Sequence, residues 1–132
     1  LAGRNKALLA ALSRLDEAGR RLHVVGWTDR VYELASICSV LITKPGGVMT
    51  SECLTRGTPM LLLDPVPGQE AHNARYLAEQ GAAAIARGAD DVARQAAGLL
   101  ADPARREAMA ATARGLDRPA NRTIVRRILQ SL

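Results

Sequence analysis

Residues 39 to 57 read SVLITKPGGVMTSECLTRG: a short apolar run, a Pro-Gly-Gly break, then a helix-forming stretch opened by hydroxyls and a carboxylate. That order leaves few folds open. An apolar run from Ser39 to Thr43 without polar alternation predicts a strand buried on both faces, and such strands belong to parallel sheets covered by helices. Proline and glycine end the strand, and Val48 to Arg56 predicts the helix behind the turn.

The same unit recurs along the chain. Asn5 to Ala18 predicts a helix with Leu8, Leu9, Leu12 and Leu15 on one face and Gly19 as its stop. Leu22 to Gly26 reads as a strand, and Asp29 can cap a helix running to about Ser36. Met60 to Leu63 is the next strand. The loop Asp64 to Gly68 leads into a helix from Gln69 to Gln80, and Ala82 to Ile85 forms a short strand. From Asp90 onward the chain is helical, with breaks near Pro103 and Pro119. Strand, helix, strand throughout implies an α/β fold, a parallel sheet with helices on both faces. With 132 residues the chain is long enough for one domain with its own core.

In such sheets ligands bind outside the carboxyl ends of the strands, so the loops after the apolar runs carry the candidates. The richest is Lys44 to Glu52. A buried strand ending in glycines lets backbone approach an anion, and the following helix offers free N–H groups and its dipole to a phosphate. Glu52 can accept two hydrogen bonds from a sugar diol. The same features also suit a plain turn and an acid favoured by the dipole, although Met49 stands where a capping box would need Ser or Thr. After Leu22 to Gly26, the main-chain edge near Thr28 can read a base with Val31 flanking it, while Asp29 serves equally as an N-cap. After Met60 to Leu63, prolines stiffen a loop that presents Gln69 and Glu70 side by side. That pair can bind hexose hydroxyls, and Glu70 is equally a first-turn acid.

Composition excludes other classes. A formal charge of +5, a pI near 10.0, and sixteen Arg beside two Lys point to anionic partners such as phosphates or acidic lipid headgroups. Nucleic acid is not expected, because Trp27, Tyr32 and Tyr76 are the only aromatic residues and no zinc or recognition-helix motif occurs. Arg105, Arg106, Arg126 and Arg127 fit solvated helix faces. Cys38 and Cys53 are spaced as buried free thiols of a reducing cytosol, and His23 and His72 lack partner ligands for a metal. Neither a Gly-x-Ser-x-Gly nor a G-x-G-x-x-G is present. The apolar runs fall far short of the roughly 18 residues needed to cross a bilayer, and no signal-peptide pattern opens the chain.

Three segments, GWTDRVYEL, LITKPGGVMTSE and LLLDPVPGQEAHNARYL, occur in this order and spacing. They resemble the carboxyl-terminal domain of GT-B glycosyltransferases of the diacylglycerol branch, monogalactosyldiacylglycerol synthase and the processive diacylglycerol glucosyltransferases. The resemblance runs from about Gly3 to the last helix. It is most specific in Thr-Lys-Pro-Gly-Gly and Pro-Gly-Gln-Glu and weakest beyond Ala86. The enzyme that adds N-acetylglucosamine to the lipid-linked peptidoglycan precursor shares the architecture but usually lacks the Lys-Pro, and so ranks second.

The resemblance implies a Rossmann-like half of a GT-B fold that binds a UDP-hexose donor, without metal or other cofactor. Backbone around Thr28, with Val31, would meet uracil. Gly46 and Gly47 with Thr50 and Ser51 would face the diphosphate, helped by the cation of Lys44, and Glu52 would hold the ribose hydroxyls. Gln69 and Glu70 would hold the hexose, and Asn73 would buttress the loop. Catalytic residues and the site for a lipid acceptor such as diacylglycerol would belong to an amino-terminal domain, making residues 1–132 a donor-binding fragment, inactive alone. Leu1 to Asn5 resembles the end of a second strand, so a first strand is expected to be missing, leaving a sheet edge open to self-association. A UDP-sugar 2-epimerase and a non-catalytic nucleotide-binding module are the rival classes. The parent is expected in the cytoplasm, peripheral at the inner face of the membrane.

Overall fold

A computed structural model describes residues 1–17, 22–63, 65, 67–117 and 126–130. The chain divides into two compact units, Leu1–Leu34 and Ala35–Leu132.

In the first unit, helix α1 (Lys6–Glu17) is capped by Asn5, whose Oδ1 accepts the Leu8 N–H at 3.0 Å. Its Leu9 lies against Gly26, where an added Cβ would sit 3.4 Å from the Leu9 Cδ2. The expected apolar face is split: Leu9 and Leu12 are half-buried, while Leu8 and Leu15 stay exposed. Leu22 to Gly26 does not form the expected strand. Its single rung is a parallel bridge from Gly26 to Gly3, beside an Ala2 N–H to Val25 C=O bond of 2.7 Å. Gly3 adopts φ 57°, which turns the chain out of the extended region before a second rung can form. Helix α2 (Val31–Ser36) follows. At its start Thr28, not the expected Asp29, supplies the side-chain acceptor, its Oγ1 taking the Arg30 N–H at 3.0 Å.

The second unit holds the sheet. Strand β1 (Leu41–Thr43), helix α3 (Gly47–Arg56), strand β2 (Met60–Leu63), helix α4 (Gln69–Glu79), strand β3 (Ala83–Ala86) and helices α5 (Gly88–Ala101) and α6 (Pro103–Leu116) follow in order. The strands pair in parallel in the order β1-β2-β3, with Leu41 opposite Met60 and Leu61 opposite Ala84. A short helical segment covers 126–130. β1 starts at Leu41 rather than at the expected Ser39. Its ladder begins where the Leu41 N–H meets the Pro59 C=O at 2.9 Å, and Pro59 has no N–H to extend it backwards.

β2 is buried on both faces, as an unalternated apolar run requires. Met60 and Leu62 pack with Cys53 of α3, Ala74 and Leu77 of α4 and Ala113 of α6. Leu61 points the other way, to Ala86, Leu99 of α5 and Met109 of α6. Met60, Leu61, Leu62 and Leu99 are fully buried, each worth about 1.5–3 kcal/mol of transfer free energy. Gly57 ends α3 in the left-handed region at φ 69°, and a Cβ there would lie 2.5 Å from Arg114 Nη1 and 3.0 Å from the Ala110 carbonyl. The helix expected from Asp90 begins two residues earlier, at Gly88, and Pro103 breaks it as expected. The expected stop at Gly19 and the break near Pro119 lie outside the described residues. Among the described residues no helix is long and apolar enough to cross a membrane.

Candidate functional site

Parallel pairing puts the carboxyl ends of β1, β2 and β3 at one end of the sheet, and α3, α4 and α5 start there. Those starts differ in how their leading N–H groups and positive dipole ends are met. At α5, Asp90 and Asp91 occupy the first turn, and the Asp91 carboxylate accepts the Arg87 N–H at 2.8 Å. That backbone bond, then Gln95 and Arg94, holds the Asp91 carboxyl below its ordinary range. At α6, Asp102 accepts the Arg105 N–H at 2.9 Å. α3 has neither device: no side-chain cap and no acid in its first turn.

The turn into α3 is built to hold its backbone in place. Pro45 is fully buried and Lys44 exposed. Gly46 is the N-cap with an ordinary extended backbone, φ −68° and ψ 138°, and Gly47 opens the helix. Neither conformation calls for glycine. An added Cβ at Gly46 or Gly47 would meet nothing within 4 Å. Thr50 is buried, with its hydroxyl within 3.0 Å of the Gly46 carbonyl and 3.1 Å of the Gly47 carbonyl, so it donates back into its own helix rather than outward. Ser51 is exposed. Glu52 is half-buried and lies beyond the first turn, so a first-turn dipole preference does not account for it.

α4 starts alongside. Its N-cap Gly68 has φ 117° and no side-chain cap bond, Gln69 is exposed, and Glu70 is half-buried in the first turn. The two starts are joined by Asn73, whose Nδ2 donates to the Pro45 carbonyl at 3.4 Å. The structure therefore brings together Lys44, Gly46, Gly47 and Asn73, with Gln69 and Glu70 on the same helix as Asn73. Thr28 and Val31 belong to the first unit, both half-buried, with the Thr28 hydroxyl holding the turn before α2.

Asn73, expected from the resemblance to buttress the loop, meets the Pro45 carbonyl 28 positions away, a partner that no local pattern announces. Arg4 lies over the Trp27 ring, 5.4 Å from its centroid, with Trp27 62% exposed beside Thr28. Cys53 is buried as expected, but Cys38 is only half-buried. Burial, then the charge of Glu52 and Cys38, pushes the Cys53 thiol up to about 11, which leaves it protonated and inert. Among the described residues no group of three or more His, Cys, Asp or Glu is placed to hold a metal ion.

A parallel α/β unit with helices on both faces, its helix starts gathered at the carboxyl ends of the strands, has the form of the Rossmann-like carboxyl-terminal half of a GT-B fold. No family model matches the chain. The chain is 41% identical over 101 residues to a processive diacylglycerol beta-glucosyltransferase of Bacillus subtilis (strain 168), covering 76% of this chain and 26% of that protein. It is 37% identical over 109 residues to the protein of that name from Staphylococcus saprophyticus, covering 83% and 28%. With its namesake in Bacillus cereus (strain AH187) it shares 37% identity over 118 residues, covering 89% and 30%. The chain is thus related to the processive diacylglycerol glucosyltransferases and aligns with their carboxyl-terminal part. It spans less than a third of the length of these relatives.

Proposed function

We propose that the chain is the donor-binding part of a hexosyltransferase, taking a UDP-hexose whose sugar passes to a lipid acceptor such as diacylglycerol. The observation that carries this reading is the start of α3, a helix N-terminus with no cap and no acid, behind two glycines that neither backbone nor packing requires. A diphosphate supplies the negative charge that site lacks, and glycine lets its oxygens reach the N–H groups.

The chemistry follows from the leaving group. When the bond from the sugar to the diphosphate breaks, charge develops on the phosphate oxygens, and fixed N–H donors with the nearby Lys44 stabilise it without reorganising. Ser51 lies on the diphosphate side, Glu52 holds the ribose hydroxyls, and Gln69 and Glu70 hold the hexose. The acceptor pocket and the catalytic base are assigned to the remainder of a longer parent, which works as a peripheral protein at the inner face of the membrane. The lipid acceptor rests on the similarity to diacylglycerol glucosyltransferases.

Calorimetric titration of the chain with UDP, beside Glu52→Ala at the same salt concentration, tests the reading. Saturable binding is expected, weakened roughly tenfold or more by the substitution, the range for a hydrogen bond to a charged group. A folded chain that takes up no UDP, or a Glu52→Ala variant that binds it as well as the wild type, would count against it.

A further inference from the structure

We infer that Asn73 is a positioning residue that couples the start of α4 to the start of α3, so that sugar and diphosphate are held in one register. The inference rests on the nucleotide-sugar reading for its ligand but on the fold for its geometry. Asn73 lies four residues after Gln69 and three after Glu70, on the helix face those two side chains share. From that face its amide reaches the Pro45 carbonyl at 3.4 Å. The Pro45 ring is fully buried, so the turn is gripped by packing on its ring and by Asn73 on its carbonyl. One residue on, the Gly46 carbonyl accepts the Thr50 N–H at 3.0 Å, the first backbone bond of α3. Moving the Pro45 peptide therefore moves the N–H groups that lead the helix.

A long hydrogen bond adds little stability, which suits a side chain whose effect is register. An aliphatic residue would leave the carbonyl unmet, and a carboxylate would set like charge against it. Asn73→Ala removes the donor while keeping a strong helix former, and Asn73→Asp keeps the shape but not the donor. Amide exchange by NMR in the chain without ligand reads the turn directly. The Thr50 N–H should exchange roughly two- to tenfold faster in both variants, the range of one net hydrogen bond, while the Leu61 and Leu77 amides keep their wild-type rates. A residue that only touches sugar would leave Thr50 unchanged.

Titration with UDP-glucose and with UDP then reads the coupling. The ratio of the two affinities should shrink in Asn73→Ala as it does in Gln69→Ala, with the Thr50 rate unmoved in Gln69→Ala. An unchanged Thr50 rate in both Asn73 variants, or a faster rate with the ratio intact, overturns the inference. Failure of the wild-type chain to bind UDP overturns the nucleotide-sugar reading instead, and the Thr50 rates still decide whether Asn73 holds the turn.

Discussion

At Gly47 and Gly57 the same residue type does opposite work. Gly47 opens α3 with open space where a Cβ would stand, and a glycine there costs helix stability relative to alanine. Gly57 closes the same helix at φ 69° against Arg114 and the Ala110 carbonyl. Gly47→Ala should therefore leave the fold as stable or up to about 1 kcal/mol more stable, while weakening UDP binding as the methyl fills the phosphate approach. Gly57→Ala should destabilise by more than about 1 kcal/mol, because both its backbone and its neighbours reject a side chain. Urea melts and UDP titration of the two variants separate these effects. A Gly47→Ala protein that binds UDP as well as wild type would remove the ligand-based reason for that glycine.

Among the helices that follow the strands, α4, α5 and α6 start with their own negative charge and α3 does not, and pH distinguishes them. Asp91 is drawn below its ordinary value of 3.8 mainly by the Arg87 N–H. A depressed carboxyl contributes stability that is present above the unfolded value and lost as pH falls through the folded one. Thermal melts between pH 5 and about 2.5 should show a shallower acid decline for Asp91→Asn than for wild type. Equal slopes would mean that the α5 start is not held by this carboxylate. These starts also show what local sequence conveys. Asp102 before Pro103 and Asp90-Asp91 are readable as a break and a first turn, and the unalternated run Met60 to Leu63 as a buried strand. Leu22 to Gly26 has a strand's composition, but pairing depends on a partner, and Gly3 turns away after one rung. The glycine turn, the Gln-Glu pair and, through the resemblance, a buttressing Asn73 are legible in the sequence; the Thr50 hydroxyl turned inward and the carbonyl that Asn73 meets are not, since both depend on where the folded backbone places a carbonyl.

For the second unit as a whole, the arrangement of the sheet sets how it meets other molecules. β2 is covered on both faces and paired on both edges, whereas β1 pairs only with β2 among the described strands. Its Ile42 is 43% exposed and borders an open apolar groove of about 520 Å³, lined also by Leu63, Ala86, Val92, Ala93 and Ala96. An end strand of this kind offers unpaired backbone groups beside an apolar surface, the combination that pairs with a strand of another chain. A second copy that paired at this edge would place its strand on the backbone groups of β1 and its apolar side chains in the groove. Size exclusion across a concentration series should show the chain shifting to a larger species as concentration rises. Ile42→Lys should hold it monomeric with helix and strand content unchanged, because a charge on an end strand resists pairing without disturbing β2. A wild-type chain that elutes as a monomer at every concentration would exclude this use of the edge. An Ile42→Lys chain that still associates would place the contact on another surface.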